Sequence, residues 1–146
     1  MDIFKEARYI AVTHILNELR KAKHRVFIDV LCHVMIENEG QAKKADVHGL
    51  NISGPLASRI DPDSGRLTLN VSQKACPVFV IKDGSISGSV SVDQMQCNFS
   101  IPIGAILAIK DLTDQNSEIF NPFIMVATEE TETQPEVKRP NLTLVK

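Results

Sequence analysis

The 146-residue sequence contains no tryptophan and a single tyrosine, Tyr9, and aromatic residues make up 5% of it. Platforms for single-stranded nucleic acid stack bases on aromatics interleaved with Lys and Arg, so the composition argues against that use. Neither sign of charge predominates: 16 Lys and Arg stand against 18 Asp and Glu, a formal net charge of −2. A chain so balanced has no bulk electrostatic attraction to nucleic acid or to an anionic membrane surface. Long apolar runs are missing too. The longest, Ile101 to Ile109, contains Pro102 and falls far short of the roughly 20 residues a membrane helix needs. The N-terminal stretch from Met1 to Arg8 mixes both charge signs and has no apolar signal core, which sets the expectation of a cytoplasmic protein.

Motifs of covalent or metal chemistry are also missing. Cys32, Cys76 and Cys97 are an odd number, widely spaced and without a C-x-x-C pair. Neither a disulfide framework nor a zinc knuckle is indicated, and buried reduced thiols are expected. His14, His24, His33 and His48 are scattered, and no P-loop, G-x-G-x-x-G, G-x-S-x-G or H-E-x-x-H is present. The expectation is a binding protein without catalytic residues, metal or cofactor.

What is present divides the chain. From Asp2, a candidate N-cap, to about Lys23 there is no Gly or Pro, and Phe4, Ala7, Ala11, Ile15 and Leu19 recur at helical spacing beside Val12 and Leu16. Glu6, Arg8, Glu18, Arg20 and Lys21 fill the polar remainder. The apolar stripe can pack on its own domain, or part of it can meet a second copy. From Arg25 to about Asp111 the pattern is of strands. Arg25 to Leu31 is β-branched and aromatic. Glu37 to Asp46 reads as a polar loop or weak hairpin, Leu50 to Ser53 as a short strand, and Asp61-Pro62-Asp63-Ser64-Gly65 as a turn. Arg66 to Ser72 alternates polar and apolar, as a half-buried strand does. Val78 to Ile81 forms another strand, stopped by Lys82-Asp83-Gly84. Ser85 to Val92 alternates strictly, with serine and glycine supplying nearly all of its non-aliphatic positions. Cys97 to Ile101 is a further strand, and Pro102 to Ile109 begins as a short helical turn and leads into a strand. Short strands at regular turn spacing predict a mostly β (α+β) fold, a small antiparallel barrel or sandwich behind one helix.

The last segment differs. Residues 127–137 hold four Glu, three Thr and a Pro with little to bury, the composition of a flexible linker. Residues 138–146, Lys-Arg-Pro-Asn-Leu-Thr-Leu-Val-Lys, are basic and apolar with no acid among them. Such a tip serves either as a short binding peptide or as an edge strand folded back on the domain. The chain thus divides into a domain over 1–126, a linker and a tip.

Two stretches and the tip carry a resemblance. Arg66-Leu67-Thr68-Leu69-Asn70-Val71-Ser72-Gln73-Lys74-Ala75 and Ser100-Ile101-Pro102-Ile103-Gly104-Ala105-Ile106-Leu107-Ala108-Ile109, together with Arg139-Pro140-Asn141-Leu142-Thr143-Leu144-Val145-Lys146, resemble the stringent starvation protein B family, the specificity-enhancing adaptors of the ClpXP protease. The resemblance spans about Val26 to Phe123 plus the tip. It implies an Sm-like barrel behind a helix, a homodimer whose helix region takes part in the subunit contact, and a groove for the ssrA degradation tag that ribosome rescue appends to stalled products. It also implies that Arg139, Pro140, Leu142, Leu144, Val145 and Lys146 dock on the N-terminal domain of ClpX, and that no metal and no catalysis are involved.

The residues give that function physical content. An extended peptide needs a surface of small side chains and hydrogen-bonding groups. Ser87, Ser89 and Ser91 supply one, and Asn70, Val71, Ser72, Lys74 and Ala75 add an amide, a cation and a small floor; the same residues equally suit an ordinary solvated strand face. A linker of roughly 13 residues spans about 20 Å, which holds a bound substrate near ClpX at an effective concentration of order mM. The sequence departs from the family in its serine-rich strand, in an apparent insertion over Glu37 to Lys44, in a first helix poor in aromatics, and in Thr143 and Leu144 of the tip. An adaptor with a different client set and an Sm-like RNA-binding module are the alternatives.

Overall fold

The computed structural model describes residues 3–113 and 118–121; Asp2, the linker and the whole of the tip lie outside them. The chain opens with α1 (Ile3–Lys21). It stops at Lys23, which takes the left-handed conformation at φ 64°. The His24 N–H returns to Leu19 O and the Lys23 N–H to Arg20 O, each at 3.0 Å, a Schellman closure of the last turn. Its inward stripe is Arg8, Val12 and Leu16, spaced four apart. Val12 and Leu16 are fully buried, whereas Phe4 and Ala7 of the predicted stripe face solvent. Arg8, assigned from sequence to the polar remainder, is buried instead.

Ten strands follow: β1 (Val26–Leu31), β2 (His33–Asn38), β3 (Gln41–Asp46), β4 (Asn51–Ile52), β5 (Arg66–Asn70), β6 (Phe79–Lys82), β7 (Ser85–Val92), β8 (Met95–Pro102), β9 (Ile106–Asp111) and β10 (Glu118–Phe120). They form two four-stranded antiparallel sheets, ordered β10-β9-β1-β5 and β4-β8-β7-β6, and a separate β2-β3 hairpin. The fold is therefore mostly β behind an N-terminal helix, as expected. Among the described residues no strand pair joins the two sheets into a closed ring. The polar stretch expected as a loop or weak hairpin over Glu37 to Asp46 is a hairpin with its strands in full register from His33 to Asp46. The 3-10 turn at Gly54–Arg59 and strand β10 carry no signal in the sequence.

Three connections are two-residue turns with both central residues at positive φ: Glu39-Gly40 (55° and 80°), Asp83-Gly84 (54° and 78°) and Asp93-Gln94 (52° and 65°). Turns of this type match the right-handed twist of the strands they join. The sheets pass into one another at Pro102, whose residue position precedes a short 3-10 turn at Ile103–Ala105 leading to β9. The core gathers alternate residues of both sheets, among them Val26, Ile28, Val30, Leu67, Leu69, Ile86, Cys97, Ile101 and Ile106. Burying a side chain of this size contributes about 1.5–3 kcal/mol.

A polar clasp closes the base of the helix. His24 Nδ1 lies 2.8 Å from Asp111 Oδ2, and Asp111 Oδ1 accepts from the Thr113 hydroxyl and N–H. Burial alone would push the Asp111 carboxyl up, but the hydrogen bonds from Thr113 and His24 together hold it below the ordinary carboxylate value. A carboxylate with a depressed folded pKa stabilises the fold above its unfolded pKa of about 3.9, and that contribution disappears as pH falls through the folded value. Asp111→Asn is therefore expected to cost about 1 kcal/mol or less at pH 7 and to flatten the loss of stability on acidification. Urea midpoints at pH 7 and pH 3 check it; equal losses in both proteins would show that the clasp does not couple to folding.

Candidate functional site

The chain between β5 and β6, residues 71–78, crosses from one sheet to the other. Among the described residues β5 pairs with β1 alone, so its second edge has no strand partner there. β6 pairs with β7 over Phe79–Lys82 opposite Ser85–Gly88, while β7 continues along β8 to Val92. Over Ser89–Val92, β7 therefore has a strand on one side only among the described residues. The last link is weak, from the Ser89 N–H to Val78 O at 3.4 Å. A free strand edge offers backbone donors and acceptors to an added extended segment.

The strict alternation of β7 places Ile86, Gly88 and Val90 toward the core and Ser85, Ser87, Ser89 and Ser91 away from it. Ser100, Asn98 and Gln96 of β8 stand opposite Ser87, Ser89 and Ser91. The outer face is thus one of small hydroxyls and amides, with Val78 and Val80 exposed along its β6 margin. Ser89 is buried and its Oγ accepts from Gln96 Nε2 at 3.0 Å; Ser87 is half-buried and Ser91 exposed.

The other predicted group has a different character. Val71 is fully buried and Ser72 nearly so. Ser72 Oγ accepts from the Val26 N–H at 2.9 Å and donates to Asn70 Oδ1 at 2.6 Å, and Asn70 Oδ1 also accepts the Ser72 N–H. Ser72 ties the end of β5 to β1, and Asn70 Oδ1 is engaged within the domain. Lys74 is exposed, while Ala75, like Asn70, is half-buried, so of this group Lys74 is the most open to a ligand.

Cys76, read from sequence only as a small apolar residue, joins the two groups. Its N–H donates to Ser72 O at 2.8 Å and its thiol to Val78 O at 3.3 Å. Burial pushes the thiol up, and the Ser89 N–H and the Arg20 charge oppose that shift. The crossover therefore sits against β7 at Ser89, and the serine strand and the Lys74 loop meet there. The helical Arg20, counted from sequence in the polar remainder of α1, reaches into the same place. Gly88 and Cys76 could not be singled out beforehand, because no local pattern reports which distant backbone approaches a strand.

A cleft of about 520 Å3 lies elsewhere, between the β2-β3 hairpin and the Gly54–Arg59 turn, with His33, Lys44, Asp46, Ile52 and Ile60 in its wall. None of the predicted site residues lines it. Cys32 at this cleft is pushed up to about 11, by burial first and the Asp46 charge second, so it stays a thiol at neutral pH. Among the described residues no three His, Cys, Asp or Glu side chains are gathered as a metal site would require, and no helix is long and apolar enough to cross a membrane.

No protein-family model matches the chain, and no curated protein matches it.

Proposed function

We propose that the chain is a cytoplasmic, non-enzymatic adaptor of the stringent starvation protein B type. In this proposal it binds the ssrA tag of ribosome-rescued proteins along the seam between the crossover and β7, and it hands them to ClpX through residues 138–146. One observation carries the proposal: among the described residues β7 runs on past its neighbour and leaves its edge beyond Ser89, as far as Val92, without a strand partner, where the crossover that carries the exposed Lys74 meets it at Ser89. An extended peptide satisfies that edge with main-chain hydrogen bonds, and the small serines let it approach closely. Lys74 meets the acidic residues of the tag.

Ile3, Phe4 and Ile10 on α1 are 73%, 71% and 59% exposed. Ile3 and Ile10 stand seven residues apart on one side of the helix, and exposed large apolar side chains there are of the kind that a second copy covers, which supports a homodimer and, with it, the helix contribution that the family resemblance implies. The Sm-like arrangement is part of the same proposal, supported by the bent passage from β8 into β9 at Pro102.

The test is fluorescence anisotropy of a labelled ssrA-tag peptide titrated with the full chain. Saturable binding is expected, weakened at least ten-fold by the double substitution Lys74→Glu and Ser91→Glu, both at exposed positions that leave the core untouched. A folded protein that does not bind the tag would falsify the tag assignment. Saturable binding of a different peptide from an array would redirect the adaptor to another client set, for which the serine-rich β7 is the specific reason.

A further inference from the structure

Arg20 stands in the last turn of α1, and its guanidinium ends inside the crossover. Nη1 donates to Val71 O at 2.8 Å and to Cys76 O at 2.9 Å. The guanidinium carbon lies 4.2 Å from the centroid of the Phe79 ring. The three partners are the first residue after β5, the innermost residue of the crossover and the first residue of β6. β5 and β6 belong to different sheets and share no ladder. One side chain from the helix thus bridges the place where the two sheets part.

The chemistry calls for a long cationic donor, and arginine suits it well. The site is partly buried, and burial lowers the Arg20 pKa while the nearby Cys76 thiol group opposes that; a guanidinium keeps its charge where an ammonium gives it up more readily. Without Arg20 the two carbonyls lose a charged donor, and a polar group left unsatisfied away from water is costly. The start of the crossover is tied to β1, where the Val71 N–H donates to Val26 O and Ser72 Oγ accepts from the Val26 N–H, each at 2.9 Å. Beyond Ser72 the local ties are the Cys76 N–H to Ser72 O and the Cys76 thiol to Val78 O, both within the crossover, and the long Ser89 N–H to Val78 O contact. On its outer side the same segment presents Gln73, Lys74, Pro77 and Val78 to solvent.

We infer that Arg20 is a positioning residue for the candidate peptide site: from the helix it latches the 71–78 crossover, and so sets how far Lys74 and Ala75 stand from the open edge of β7. The inference rests on the proposal above that a peptide occupies this seam. It adds a residue that never touches the peptide and a helix that controls the width of the groove.

Thiol labelling tests the latch and peptide binding tests its purpose. Cys76 is fully buried and lies on the crossover, while Cys32 and Cys97 are buried elsewhere and serve as internal controls. The full chain is treated with iodoacetamide at pH 7.5 and the rate at each cysteine is read by mass spectrometry. Arg20→Met, which keeps an apolar stem over Phe79 and removes the donors, is expected to speed Cys76 at least ten-fold and leave Cys32 and Cys97 unchanged. Loss of the neighbouring cation by itself would disfavour the thiolate and slow the reaction, so a faster rate reports exposure. Arg20→Lys, which retains a cation and donors, is expected to fall close to wild type. Tag affinity is expected to weaken about ten-fold in Arg20→Met and to recover in Arg20→Lys. An unchanged Cys76 rate, or all three cysteines speeding together, overturns the latch. Selective Cys76 exposure with unchanged tag affinity overturns the positioning role. Selective exposure in a protein whose wild type binds no tag overturns the adaptor proposal and leaves the latch standing without that purpose.

Discussion

Gly88→Ala is expected to lower the stability of the domain by about 2–3 kcal/mol. A methyl group there would overlap the Val78 carbonyl oxygen and stand 2.9 Å from Phe99 Cζ and 3.1 Å from Cys76 Sγ. Phe99 and Cys76 are buried, and Val78 O is backbone held by the Ser89 N–H and the Cys76 thiol. The chain can relieve the overlap only by moving the crossover off β7, since packed interiors yield little. The same movement would displace Lys74 and Ala75 from the candidate site, so weaker tag binding should accompany the loss of stability. Gly84→Ala is the control. It has open space around it but sits at φ 78°, so only the backbone penalty of about 1 kcal/mol applies. Urea denaturation of the two variants checks the ranking; equal losses would mean that the crossover yields without cost.

Removal of residues 138–146 should separate binding from delivery. The truncated chain is expected to keep its tag affinity within two-fold and to degrade tagged substrate with ClpXP about 10²-fold less efficiently at low substrate concentration. That magnitude follows from tethering: a short flexible linker supplies an effective concentration of order mM, and avidity of 10²–10⁴ disappears when the second contact is removed. Degradation assays with full-length and truncated chain at substrate concentrations well below saturation provide the check. Undiminished delivery by the truncated chain would show that the tip is not the tether.

The element plan was legible because it is written in local periodicity. The helix declared itself through spacings of three and four, and β5 and β7 through alternation, where the identity of every second residue is set by which face it occupies. Asp83-Gly84 announced its turn because few residues tolerate positive φ. Other features were hidden for equally physical reasons. β10 is three residues long, too short to show a period. The β2-β3 hairpin is polar on most of its surface, so no apolar alternation marked it as more than a weak candidate.

The candidate site was legible only in part. Ser87, Ser89, Ser91 and Lys74 follow from composition and from the position of a strand. Asn70, Val71 and Ser72 look the same in the sequence, yet the structure engages them with β1 and the core, because hydrogen bonds between β5 and β1 depend on register that no local pattern encodes. Arg20 illustrates the converse. A cation in the last turn of a helix reads as a solvent-exposed partner of the helix dipole, and only the packing of that helix sends it to the carbonyls of Val71 and Cys76.

By itself the sequence determined a mostly β domain behind one helix, the faces of its main strands, and the absence of recognisable catalytic motifs, since each depends on residues near one another in the chain. Tertiary structure alone decided that the two sheets part between β5 and β6, that Gly88 must lack a side chain, and that Arg20 spans the gap. Those outcomes depend on approaches between segments some 10 to 60 residues apart, where long-range packing rather than local preference selects the arrangement.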